Sequence, residues 1–230
     1  MPELERASLL LGKEAIETLQ KKTVLVVGVG GVGGMCVEAL ARSGIGCLIL
    51  VDKDTIEESN INRQLIANFD TLSHSKVEEW KKRIHLLSKR CKVIALHTFY
   101  DASLNETLDQ YKIDYIIDAI DSISSKKDLI AYALDRHIPF LSSMGMARKK
   151  DISKLKVMEV EQTSYDPIAK QIRVWKRKQK IREKIMVVSS TEIPVSVESG
   201  QPLPSMIFVP AAAGLLLADA CIRYLSSHPQ

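Results

Sequence analysis

Hydrophobic and polar positions change period several times along the chain, and each change marks an expected element. Residues 3–20 place Leu4, Ala7, Leu11, Ala15, Ile16 and Leu19 at helical spacing. The run TVLVVG then predicts a buried parallel strand over 23–27, ending in glycines. A helix is expected over 32–43, stopped by Gly44 and Gly46. CLILVD predicts a second strand, 47–52, followed by the polar loop DKDTIEESNINRQ. Further along, helix is expected at about 76–88 and 125–136, and strand at 92–99, 115–121 and 138–143. Such β–α alternation implies a Rossmann-like α/β fold with a mostly parallel sheet, flanking helices and right-handed crossovers.

The texture changes near residue 150. Segments 154–163 and 170–178 read as a β-hairpin around YDPIA, with Asp166-Pro167 as its turn. Residues 185–189 read as another strand and 210–225 as a helix. The expected organisation is one domain over 1–230. It has a nucleotide-binding core at about 1–150, a basic hairpin region at about 151–195 and a C-terminal helix at about 210–226.

Length and composition agree with that outline. The chain has 230 residues, 46% hydrophobic and 26% charged, which suits one soluble α/β domain. The four cysteines, Cys36, Cys47, Cys91 and Cys221, form no CxxC pair, so no zinc is expected and a reducing compartment is the simpler reading. The start is charged and helical in pattern, without a signal-peptide core. The apolar stretch 206–217 is too short to span a bilayer. A cytoplasmic protein without membrane contact is the expectation. The net charge of +4 is mild, but residues 170–184 hold eight cations against one acid, Glu183, which suggests a polyanionic partner.

The glycine run GVGGVGG fits G-x-G-x-x-G through Gly28, Gly30 and Gly33, with Gly31 beside them. It follows a strand and opens a helix, so its backbone can approach phosphate at a helix N-terminus. Asp52 ends the next strand, 24 residues after Gly28, where a carboxylate accepts from a ribose hydroxyl. These residues alone suit NAD at least as well as ATP. The next loop shifts the balance, because it carries Asp54, Asn60, Asn62, Arg63 and Gln64. An arginine and amides answer a triphosphate. Lys76, at the start of the following helix, is a second candidate cation. Asp118 and Asp121 end the fourth strand, and Asp121, further along the exit, is the better ligand for Mg²⁺. Two cations and a carboxylate fit nucleotidyl transfer, whereas hydride transfer needs neither. Plainer roles stay open: Asp54 as a loop cap, Arg63 paired with Glu57 or Glu58, Lys76 as a solvated helix residue, Asp118 as structural.

The ordered set GVGGVGG, VDKDTIEESNINRQ, Lys76 and DAIDS resembles the ubiquitin-activating-enzyme-like superfamily, which includes the adenylating enzymes of thiamin and molybdopterin synthesis. The resemblance implies ATP·Mg²⁺ binding and attack of a carboxylate on the α-phosphate. It implies Asp52 as the ribose acid, and Asn60, Arg63 and Lys76 as phosphate ligands, the last two also offsetting transition-state charge. It implies Asp121 as the Mg²⁺ ligand and Arg6 as a contact to the γ-phosphate of the partner subunit, hence a homodimer. Ser122 stands where the family usually has Asn.

Two departures narrow the branch. Members that activate sulfur-carrier proteins usually bear two CxxC pairs, and many use a cysteine in a crossover loop; residues 145–205 contain no cysteine. Cys221, within an expected helix, reads as a small buried hydrophobe. The segments LLLGKEAIETL, SSMGMARKKDISKLKVMEVEQTSYDPIAKQIR and VVSSTEIP resemble the tRNA threonylcarbamoyladenosine dehydratases over nearly the whole chain. That implies a ligase-type enzyme which adenylates the carboxylate of N6-threonylcarbamoyladenosine in tRNA and lets the side chain cyclise. Lys170, Arg173, Lys176, Arg177, Lys178, Lys180 and Arg182 are then candidate contacts to tRNA phosphates, with Trp175 a candidate stacking residue. A solvated cationic face and simple packing are the plainer alternatives. Adenylation of a sulfur-carrier protein and NAD-dependent oxidoreduction remain the competing functions.

Overall fold

The computed structural model describes residues 2–227. In chain order the helices are α1 (Glu5–Leu11), α2 (Lys13–Leu19), α3 (Gly31–Arg42), α4 (Lys76–Leu87), α5 (Asn105–Leu108), α6 (Ile123–Asp135), α7 (Pro167–Lys178) and α8 (Phe208–Ser227). The strands are β1 (Thr23–Val27), β2 (Cys47–Val51), β3 (Lys92–Leu96), β4 (Tyr115–Asp118), β5 (Phe140–Ser143), β6 (Leu155–Glu159) and β7 (Met186–Ser190). They form one sheet in the order β3-β2-β1-β4-β5-β7-β6. Every neighbouring pair is parallel except β6 with β7.

The apolar runs become central strands because both faces of the sheet are covered. Val24, Val26, Leu48 and Leu50 face α3, α4 and α8 in a core that holds Cys36, Trp80, Leu217 and Cys221. Leu25, Val27, Ile49 and Val51 point the other way, onto Leu108, Leu129 and Tyr132 of α5 and α6. A third cluster joins Ala169 and Ile172 of α7 to Ile185 and Val187.

Several expectations shift at this point. The first helix is two, broken at Gly12 with φ 92°. The third strand ends at Leu96 and the fifth starts only at Phe140. The largest correction concerns the basic hairpin. Its first arm is β6, but 167–178 is the helix α7, and β6 pairs instead with β7. Asp166-Pro167 starts a helix rather than a turn: the Asp166 carboxylate caps the Ala169 amide at 3.0 Å, and Pro167 sits where no amide is needed. Burial of Ala169, Ile172 and Lys176 follows helical spacing, not alternation.

The last helix also runs longer than expected. Over Phe208–Ser227 it is long and apolar enough to cross a membrane by length and composition. Half of that surface is buried in the fold, however, and Val209, Ala213, Leu217, Cys221 and Leu225 form one stripe against α3 and the sheet.

Candidate active site

Connections leave β1 and β4 toward opposite faces of the sheet, and a crevice opens at their C-terminal ends. The cleft there has a volume of about 640 Å³. Gly28 sits at the split with φ 85°, and a Cβ there would lie 2.6 Å from the Ala119 carbonyl oxygen. A side chain is therefore excluded on steric and conformational grounds. Gly33 does not line the cleft. A Cβ there would meet the Gly28 oxygen at 1.8 Å, so this glycine lets α3 pack onto the loop. Gly30 and Gly31 do line it. Helix α3 begins at Gly31 with no side-chain cap, leaving its first amides for an anion.

Side chains fix the glycine loop from two elements. The Asp52 carboxylate accepts from the Val29 amide at 2.8 Å and the Asp54 amide at 2.9 Å. From α4, the fully buried Trp80 donates through Nε1 to the Val29 carbonyl at 3.2 Å. Asp52 lines the cleft while organising the loop, and each oxygen keeps a lone pair for a ligand hydroxyl.

The polar loop supplies the cations. Arg63 lines the cleft, and its Nη1 donates to the Ser59 carbonyl at 2.6 Å and the Asn62 side-chain oxygen at 2.9 Å. Lys76 is buried, with its ammonium 2.9 Å from Asp54. Asn60 also reaches the cleft, but Oδ1 accepts from the Glu57 amide at 3.2 Å and Nδ2 donates to Ser59. Its first role here is to close the turn. Gln64 is buried beside Gly30, and its Oε1 has no partner among the described residues. Ser125 Oγ, on the opposite wall, is orphaned too. A cleft with two unfinished buried polar groups is built for a polar ligand. Asp121 is exposed on the rim and has no hydrogen-bond partner among the described residues. Among those residues no group of three or more metal-type ligands occurs, so a divalent ion at Asp121 would draw most of its ligands from phosphate and water.

Asp118 belongs to the framework. It is wholly buried against Lys126 at 2.8 and 2.9 Å, and its Oδ2 accepts from Ser142 at 2.6 Å. Glu192, the acid nearest the end of β7, accepts from the backbone amides of Lys150 and Asp151. Cys221 is fully buried, and that burial pushes its thiol well above the ordinary value of 9.0. Neither a base nor a thioester nucleophile is presented by these three.

Sequence reasoning missed one wall of the cleft. Lys53, His97, Thr98, Phe99 and Tyr100 all line it. His97 Nε2 lies 2.8 Å from the Lys53 carbonyl, and the Lys53 ammonium sits 5.2 Å from the Phe99 ring centroid. The signal was position alone: His97 to Tyr100 follow β3 and Lys53 follows β2, at the same edge of the sheet as Asp52 and Asp121.

The basic segment divides. Lys170, Arg177, Lys178, Lys180 and Arg182 are exposed. Lys176 is buried and pairs with Glu161 at 2.6 Å, and Arg173 donates to Val160, Thr163 and the Thr163 hydroxyl. Trp175 packs against the third core cluster rather than standing free. Arg6 lies outside the cleft, on an exposed turn of α1 beside Leu9 and Leu10, each 84% exposed.

The ThiF family model matches residues 4–230. A Bacillus subtilis protein named tRNA threonylcarbamoyladenosine dehydratase is 40% identical over 97% of this chain and 94% of its own. The Escherichia coli protein of that name is 34% identical over 71% of this chain and 61% of its own. The crystal structure of the E. coli dehydratase in complex with AMP superposes with a TM-score of 0.91 at 29% identity, covering 96% of this chain and 93% of that one. Its complex with ATP also matches at 0.91, covering 98% and 94%. With the glycine loop, the Asn-Arg-Gln loop and the strand-end acids joined around one cleft, and the family model running to the end of the chain, this protein belongs to the ThiF family.

Proposed function

We propose that this chain is an ATP-dependent tRNA threonylcarbamoyladenosine dehydratase. One observation carries the reading: the open helix N-terminus at Gly31, Arg63, Lys76 and Asp121 converge on one cleft, in a chain 40% identical to a relative of that name over almost its full length. The substrate carboxylate attacks the α-phosphorus of ATP, and pyrophosphate leaves. The carbamoyl group of the same side chain then closes on the activated carbonyl, loses its proton and expels AMP. Water is lost overall, and ring closure relies on proximity rather than on a protein nucleophile.

In this reading Arg63 and Lys76 hold phosphate oxygens and spread the charge of the transition state. Asp52 accepts from the ribose, with Asp54, Asn60 and Gln64 as neighbouring ligands. Asp121 would hold Mg²⁺, which supplies charge neutralisation at the phosphates. The exposed Lys170, Arg177, Lys178, Lys180 and Arg182 meet tRNA phosphates. Arg6 and the bare leucines of α1 suit a homodimer in which each α1 completes the other subunit's site. The cytoplasm is the compartment we propose for this work.

The test is incubation with ATP, Mg²⁺ and tRNA bearing threonylcarbamoyladenosine, followed by nucleoside mass spectrometry. Loss of one water with AMP formation is expected. An unchanged nucleoside, with ATP–pyrophosphate exchange driven by a small carrier protein instead, would overturn the reading.

A further inference from the structure

Residues 191–207 form a strap without helix or strand between β7 and α8. Between 196 and 206, two hydrogen bonds tie it to the rest of the described protein. The Arg148 amide donates to the Pro204 carbonyl at 2.8 Å, and Asn62 Nδ2 donates to the Ser205 carbonyl at 2.9 Å. The other end of the Asn62 amide, Oδ1, accepts from Arg63 Nη1 at 2.9 Å. The amide's orientation is fixed by chemistry, since a guanidinium only donates and a carbonyl only accepts. Asn62 therefore bridges the strap and the cleft's arginine.

The Arg63 donors support this division of labour. Both Nη1 protons are spent, one on the Ser59 carbonyl and one on Asn62. The Nε and Nη2 protons have no partner among the described residues, and they form the parallel fork that grips two phosphate oxygens. Beyond the strap, Pro210 approaches Gly31: a Cβ on Gly31 would lie 3.4 Å from its Cβ and 3.3 Å from the Arg63 carbonyl. The strap thus runs into α8 beside the same anion-binding turn.

We infer that Asn62 is a positioning residue that couples nucleotide at Arg63 to the seating of the 191–207 strap. The inference rests on the nucleotide reading of the cleft. Phosphate on the Nε/Nη2 fork fixes the guanidinium, which fixes the Asn62 amide, which holds the Ser205 carbonyl. By linkage, a seated strap favours nucleotide by the same factor.

The test is hydrogen exchange of peptides covering 146–150 and 192–206, with and without a non-hydrolysable ATP analogue and Mg²⁺. The variants are Asn62→Ala, which cuts both bonds, and Asn62→Asp, which keeps an acceptor for Arg63 but loses the donor to Ser205. In the parent protein the analogue should slow exchange by about fivefold, the weight of one neutral hydrogen bond in a local equilibrium. Both variants should lose that response, and Asn62→Asp should still bind the analogue. The coupling is overturned if the analogue binds while the strap's exchange ignores it, or if the variants respond as the parent does. No binding of the analogue to the parent would instead remove the nucleotide reading, and this inference with it.

Discussion

Lys126 and Asp118 form an ion pair that solvent does not reach, with the ammonium 2.8 Å from Oδ1 and both side chains at most 1% exposed. The pair lies at the base of the cleft, where the same carboxylate accepts from the Ile120 amide and shapes the turn before Asp121. Lys126 also donates to the Ser143 carbonyl at 3.0 Å and so ties α6 to β5.

Removing one partner of such a pair leaves an unbalanced buried charge. Lys126→Met should cost about 3–5 kcal/mol in urea unfolding. Adding Asp118→Asn should return part of that loss, because the unpaired carboxylate is gone. A cycle with no coupling between the two sites would contradict the framework role assigned to the pair.

How much was legible in the sequence follows from the range of each interaction. The central strands were legible because burial on both faces demands continuous apolar runs, as in residues 23–27 and 47–51. The glycine loop and Arg63 were legible because their spacing is local. The Lys126–Asp118 pair was not, since its meaning depends on Ser142 and Ser143 of a strand that only the fold brings near. Helix α7 was misread because Asp-Pro suits a turn and a helix start equally, and tertiary packing of Ile172 decides between them. The same packing explains why Lys176, indistinguishable in sequence from Arg177, faces inward.

Thioester chemistry is testable through Cys221. Its thiol is buried between α8 and α3 and held protonated. Cys221→Ala should keep turnover within about twofold and lower stability by about 1–2 kcal/mol through the small cavity left. Activity assayed below saturation and thermal melting check the two halves. Loss of turnover by an intact fold would restore a nucleophilic role.

Acid sensitivity should centre on Glu38. It is 6% exposed and receives Arg83 through two bonds of 2.7 and 2.9 Å, and Arg42 at 2.8 Å. Burial alone raises its pKa, but the two guanidinium groups outweigh burial and hold it below the ordinary value of 4.5. A lowered folded pKa means that the unfolded chain binds the proton more readily. The stabilisation is therefore complete above the ordinary value and is lost as pH falls through the folded one. Urea midpoints between about pH 6 and pH 3 should fall more steeply for the parent than for Glu38→Gln. Parallel curves would place the acid response in other carboxylates.

The basic segment yields the sharpest contrast, because its cations have two distinct environments. Lys170, Arg177 and Lys178 are exposed on α7, whereas Arg173 and Lys176 are spent on Thr163 and Glu161. If the exposed set contacts tRNA phosphates, each contact releases counterions on binding. Replacing Lys170, Arg177 and Lys178 by Gln should weaken tRNA binding and flatten the slope of log Kd against log salt by about 2, with the melting temperature little changed. Replacing Arg173 and Lys176 should do the reverse. The melting temperature should fall, because a buried ammonium and the cap of the segment before α7 are lost, while the salt slope stays near that of the parent. Filter binding across a salt series, paired with thermal melts, separates the two sets. Equal changes of slope in both would mean that exposure on α7 does not decide which cations meet the nucleic acid.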